Sequence, residues 1–149
     1  MAQDQNRMVA IAADHAGVEL KTQLKKELQS LGYEPLDLGT HSTESVDYPD
    51  FAHELAKVMK EGKAAQGVLI CGSGIGISIA ANRHAHLRAA LCHSGLEARL
   101  ARQHNNANVL VLGARIIGVE PAKDALRSFL KTEFEGGRHE KRVTKINPK

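Results

Sequence analysis

Tryptophan is absent from the 149 residues, and there are only two tyrosines and three phenylalanines. Rings of that kind stack on unpaired bases, so a single-stranded nucleic acid or RNA partner is not expected. Cysteine is scarce too: Cys71 and Cys92 are the only two. Two cannot build a disulfide framework, and no CxxC or HExxH spacing points to a metal, so none is expected. No run of about 18 apolar residues offers a membrane span. Met1 to Arg7 is polar, without the basic-then-apolar order of an export signal. Residues 1–7 read as a loose leader, and a reducing, cytoplasmic setting is the default. One-sided charge is missing from most of the chain. Residues 1–130 carry 14 Lys/Arg and 14 Asp/Glu, so the net +3 sits wholly in residues 131–149. That balance excludes a general nucleic-acid footprint and leaves a basic tail with a local task.

What is present is alternation. Short runs rich in Val, Ile, Leu and Ala stand at Met8–Ala13, Pro35–Leu38, Gly67–Cys71, Arg88–Cys92 and Val109–Leu112. Runs apolar on both faces read as buried parallel strands. Helical spacing fills the gaps. Leu20, Leu24, Leu28 and Leu31 form one stripe that Gly32 stops, and Ala52, Leu55, Ala56 and Met59 form another between Pro49 and Gly62. Ile75–Arg83, Gly95–Gln103 and a segment opened by Pro121 supply three more. The pattern predicts one α/β domain over residues 8–149, a doubly wound three-layer α/β/α sandwich on a five-stranded parallel sheet. The length leaves no room for separate cofactor and substrate domains. After Gly136-Gly137, residues 137–146 are expected to form a short basic helix.

Ligands of such sheets bind beyond the carboxyl ends of the strands. The residues after each strand are therefore the candidates: Asp14-His15-Ala16-Gly17, the polar loop Gly39–Tyr48, Cys71-Gly72-Ser73-Gly74-Ile75-Gly76, His93-Ser94 and Gly113-Ala114-Arg115. Gly72, Gly74 and Gly76 let backbone amides converge near a helix start, a nest for phosphate, carboxylate or oxyanion; the alternative is a tight turn without ligand. The run is not GxGxxG, no acidic residue follows the next strand to hold a ribose, and no Gly-Lys-Ser/Thr makes a P-loop. No dinucleotide cofactor is expected. Cys71 opens the turn. Amides facing a thiol favour the thiolate, a base or nucleophile, whereas most free cysteines are buried small hydrophobes. A cysteine phosphatase needs an Arg six residues on, where Ile77 stands. Cys92 reads as structural.

Of eight histidines, His15 and His104 are placed in ligand-side loops, and His104 is a candidate proton shuttle because imidazole as a group titrates near neutral pH; the alternative is a loop residue that caps the nearby helix end. His93 is ambiguous; His41, His53, His84, His86 and His139 are expected in solvent. Arg138 and Arg142 stand four apart, so on a helix they share a face. That face either clamps a phosphate or is simply solvated.

The order of these pieces carries more than any one of them. Asp14-His15-Ala16-Gly17, Ser45-Val46-Asp47-Tyr48-Pro49, Cys71 through Asn82, Arg102-Gln103-His104-Asn105 with Asn108, Gly113-Ala114-Arg115 and Glu135-Gly136-Gly137-Arg138-His139 occur in series. The series resembles the ribose-5-phosphate isomerase B family, which includes the galactose-6-phosphate isomerase subunits. The resemblance spans about residues 8–146. It implies a Rossmann-like sandwich without nucleotide or metal, acting on a small phosphorylated sugar, with a place in the pentose phosphate pathway. It implies a homodimer with sites shared between subunits, and leaves pairing of dimers into tetramers open.

By position, Cys71 matches the base that moves a proton between C1 and C2. The amides of Gly72, Gly74 and Gly76 and the hydroxyl of Ser73 match the enediolate hole. His104 matches the ring-opening residue, with Asp14 near it. His15, Arg115, Arg138 and Arg142 match phosphate contacts, and Tyr48 and Asn105 match other substrate contacts. Some family members carry the base as a Glu four residues after Cys71; Ile75 stands there. The cysteine pattern thus favours ribose 5-phosphate over a six-carbon sugar phosphate such as allose or galactose 6-phosphate. A non-catalytic sugar-phosphate sensor is the remaining alternative.

Overall fold

Five strands lie side by side in the order β2-β1-β3-β5-β4, every neighbouring pair parallel. They are β1 (Met8–Ala13), β2 (Glu34–Asp37), β3 (Gln66–Cys71), β4 (Ala89–Leu91) and β5 (Val109–Gly113). The computed structural model describes residues 7–149. Most of the expected leader, residues 1–6, lies outside the described residues. Arg7 is tied down, its guanidinium donating to the Gly32 carbonyl at 3.0 Å.

The connecting helices are α1 (Val18–Ser30), α2 (Tyr48–Lys60), α3 (Ile75–Ala81), α4 (Gly95–Asn105), α5 (Val119–Lys131) and α6 (Arg138–Thr144). Strand side chains alternate between faces, and the core divides accordingly. Val9, Ile11, Val68, Ile70, Leu110 and Leu112 pack on Leu24, Leu28, Ala98, Leu126 and Phe129 of α1, α4 and α5. Ala10, Ala12, Leu69, Cys71, Val109 and Val111 pack on Leu55, Ala56, Ile77 and Ala81 of α2 and α3. The sandwich is as expected. Its elements are shorter in places. β4 has three residues, because the Arg88 amide is taken by the Asn108 side chain at 2.7 Å. α3 stops at Ala81, and the Asn82 side chain turns to bond Ala89 instead. Among the described residues no helix is long and apolar enough to cross a membrane.

Two features of the sheet position the site. The chain leaves β1 toward β2 and then crosses back to β3, so a crevice opens between the carboxyl ends of β1 and β3. The last two strands also exchange places. β5, not β4, pairs with β3, and Gly113 lies opposite Cys71.

Candidate active site

At the carboxyl edge the Asp14 amide donates to the Ile70 carbonyl at 3.1 Å, joining the ends of β1 and β3. The buried Asp14 carboxylate accepts from the Ala16 amide at 3.0 Å, which starts the short turn His15–Gly17. Gly17 sits against β3: a Cβ there would lie 2.6 Å from Ile70 Cγ2. His15 Nδ1 accepts from the Val46 amide at 3.2 Å. That bond pins the polar loop over the crevice and leaves Nε2 to carry the proton and donate outward.

The glycine run follows β3. Cys71 is 4% exposed, and its Sγ accepts from the Gly74 amide at 3.2 Å. Gly74 has φ +80°, and a Cβ on it would meet Leu91 Cδ1 at 2.5 Å and the Gly113 amide nitrogen at 3.1 Å. Only glycine fits that turn without strain. Ser73 Oγ accepts from the Ile75 amide at 3.1 Å, which fixes the hydroxyl at the start of α3. Arg115 follows β5, and its backbone amide donates to the Gly72 carbonyl at 2.9 Å. Its guanidinium lies over Gly72, 3.1 Å from where a Cβ would be, and the Tyr48 ring lies likewise over Gly76, with its hydroxyl 2.8 Å from such a Cβ. Asp14, His15, Tyr48, Cys71, Gly72, Ser73, Gly74, Gly76 and Arg115 therefore stand together at the carboxyl edge of the sheet.

Asp37 supports the loop from beneath. Lys21, 2% exposed, donates to it at 2.6 Å and to the Thr40 carbonyl at 2.8 Å. Burial favours the neutral acid, but the bonds from Lys21, Lys25 and the Gly39 amide outweigh it and hold the Asp37 carboxyl at about 2.

Four expected site residues are elsewhere. α4 ends at Asn105 and β5 begins at Val109, so His104 and Asn105 lie at the amino edge of the sheet. The expected placement of His104 in a ligand-side loop is therefore wrong: the residues before a parallel strand are at the opposite edge from those after it. Asn108 marks that edge, its carbonyl accepting from Gly67 at 2.9 Å. Gly67 and Cys71 are the two ends of the β3–β5 pairing, and four strand steps separate them by about 13 Å. Arg138 and Arg142 lie on α6, which is joined to the same end of α4 through the Glu135 amide and the Gln103 carbonyl, 3.1 Å apart. Arg102 fastens this corner, donating to the carbonyls of Thr132 and Ala107.

The structure also corrects the reading of the other histidines. His139 is buried, 6% exposed, and stacks on the His104 ring with centroids 4.5 Å apart. Burial, then the nearby Arg138 and His104, push it below its usual value. His84 and His86 are half-buried rather than solvated; His84 meets exposed His53 at 2.7 Å, and His86 bonds the Ala56 carbonyl. His93 sits by the edge strand and pairs with Glu97. Cys92 is structural in character: burial, then Glu97, pushes its thiol up to about 12. Sequence reasoning misses Glu135 and His139 as partners of His104; their spacing of four across Gly136-Gly137 is the available signal.

The sequence profile described as Ribose/Galactose Isomerase matches residues 9–146. The chain is 44% identical over 140 residues to ribose-5-phosphate isomerase B of Escherichia coli K12, covering 94% of each. It is 45% identical over 139 residues to a D-erythrulose-4-phosphate isomerase of Pectobacterium atrosepticum, covering 93% of this chain and 91% of that one. A crystal structure of a ribose 5-phosphate isomerase from Thermotoga maritima superposes with a TM-score of 0.91 at 52% identity, over 93% of this chain and 96% of that one.

Proposed function

The chain belongs to the ribose/galactose isomerase family and is a sugar-phosphate isomerase, and we propose that it interconverts ribose 5-phosphate and ribulose 5-phosphate with Cys71 as the base. The observation that carries this reading is the Gly74 amide donating to Cys71 Sγ at 3.2 Å within the glycine turn after β3. The Cys71 thiolate takes the proton from C2 of the open-chain aldose. The electron pair moves to the carbonyl oxygen, and the nest amides and Ser73 stabilise the enediolate that forms. Passage of the O2 proton to O1 and return of the abstracted proton to C1 leave the ketose. Only protons move between carbons and oxygens, so the steps call for no dinucleotide. His15, through Nε2, and Arg115 offer donors for the phosphate or sugar oxygens at the cleft.

The remaining roles fall to a second copy. Hydrogen-bond reach is about 3 Å, so a His104 beyond the opposite end of a strand about 13 Å long cannot serve the cleft of its own chain. The proposal is a homodimer in which His104 of the partner subunit opens the ring, beside the partner's Asn105. The partner's Arg138 and the partner's Arg142 hold the phosphate, which uses remote binding energy for orientation. Exposed apolar side chains support this. Ile75, Ile79, Leu96, Leu100, Ile116 and Val119 are 37–61% exposed, and apolar surface of this kind is what a protein interface covers.

The test is turnover of ribose 5-phosphate by wild type and by Cys71→Ala. Ribose 5-phosphate is expected to give the highest kcat/KM against erythrulose 4-phosphate, allose 6-phosphate and galactose 6-phosphate. Cys71→Ala is expected to lose at least about 100-fold in kcat. Near-full activity in the variant refutes the base, and preference for another sugar refutes the substrate.

A further inference from the structure

Among the described residues, one set of three metal-ligating side chains converges: His104, Glu135 and His139, with a ligand atom of each within 4.8 Å of the others. The set is assembled by tertiary structure. Gly136 and Gly137, both at positive φ, turn the chain so that Glu135 and His139 face the end of α4. The Glu135–Gln103 backbone bond holds the turn in place.

One atom in this set has no partner. His139 Nε2 is fully buried and makes no hydrogen bond, although the Glu135 carboxylate is 3.4 Å from it. An orphaned buried nitrogen costs free energy unless something else meets it. The spacing suits a small divalent cation. At metal–ligand distances of about 2.0–2.2 Å, tetrahedral ligand atoms lie about 3.4 Å apart. Glu135 and His139 already stand at that separation, and His104 joins by turning its ring out of the stack on His139, since an imidazole holds a metal in its own plane. Two imidazoles and a carboxylate, with a fourth position open, are a ligand set that zinc favours. Arg138 and Arg142 oppose the cation, so tight binding is not expected.

We propose that His104, Glu135 and His139 form a binding site for a divalent transition-metal ion such as Zn²⁺, and that the bound ion inhibits the enzyme by engaging His104. The inhibition rests on the ring-opening role proposed for His104; the binding does not.

The experiment titrates the full-length protein with Co²⁺, followed by visible absorption, and with Zn²⁺ in isomerase assays. Wild type is expected to give tetrahedral Co²⁺ bands without sulfur charge-transfer absorption. Glu135→Gln and His139→Gln are each expected to weaken binding at least about tenfold. Zn²⁺ should inhibit wild type reversibly on chelation, and Glu135→Gln should need about tenfold more Zn²⁺ for the same inhibition. Equal Co²⁺ affinity in wild type and Glu135→Gln, or spectra dominated by thiolate at Cys71, overturns the site. Co²⁺ binding that depends on Glu135, with Zn²⁺-insensitive turnover of ribose 5-phosphate, refutes the inhibitory role. Such binding in a protein that does not turn over ribose 5-phosphate leaves the site standing and removes the substrate reading.

Discussion

Mixing two dead variants should restore activity. On the proposed division, Cys71→Ala should disable the carboxyl-edge half of the site, and His104→Asn the half that α4 presents at the amino edge. In a dimer whose cleft draws one half from each subunit, a mixed dimer has one site carrying both lesions and one site carrying none. Random reassociation of equal amounts makes half the dimers mixed, so the mixture should recover about a quarter of wild-type activity. The converse mixture pairs wild type with the Cys71→Ala/His104→Asn double variant. Every mixed dimer then has two damaged sites, and activity should fall to about a quarter of the all-wild-type value rather than half. The assay is ribulose 5-phosphate formation after joint denaturation and refolding, with each parent refolded alone as control. A mixture no more active than its parents refutes the division, because it would mean that one chain supplies both groups across about 13 Å of sheet.

Gly74→Ala should destabilise the fold by about 1–3 kcal/mol, since the residue sits at φ +80° with the Gly113 amide nitrogen 3.1 Å from a new Cβ. Urea unfolding measures this, and an unchanged midpoint refutes the strain. Asp37 should make stability depend on acid. Its carboxyl is held at about 2 in the fold against about 4 in an unfolded chain. The contribution is therefore full above about pH 4 and lost as pH falls toward 2. It is of order 1–2 kcal/mol after allowance for solvent screening. Asp37→Asn should remove that part of the pH dependence of the unfolding midpoint, and an identical acid profile in the variant refutes it. Cys92, pushed up to about 12 by burial and Glu97, should resist alkylation at neutral pH while the protein is folded. Mass spectrometry of native protein treated with iodoacetamide checks this; labelled Cys92 refutes it.

Much of the fold is legible in the amino-acid string because burial acts on both faces of each strand. Val68, Leu69 and Ile70 are apolar in succession because alternate side chains meet different helix layers. The glycine turn is legible for a local reason: a backbone at φ +80° beside two strand ends admits almost nothing else at Gly74. Edges of elements are less so. Whether Arg88 extends β4 depends on Asn108, twenty residues away. His139 looks like a surface residue because nothing adjacent in sequence reveals that it stacks on His104.

The sequence by itself determined a parallel α/β sandwich, an amide nest next to a cysteine, and the ordered motifs of a sugar-phosphate isomerase. Hydrophobic periodicity and backbone conformation are local properties, so a linear string records them. Only the tertiary structure decided which motifs meet. The exchange of β4 and β5 sets Gly113 against Cys71 and lays Arg115, rather than His93, over the nest. The same parallel geometry sends His104, Asn105, Arg138 and Arg142 to the far edge, because the residues on either side of a parallel strand are held apart by the strand's own length.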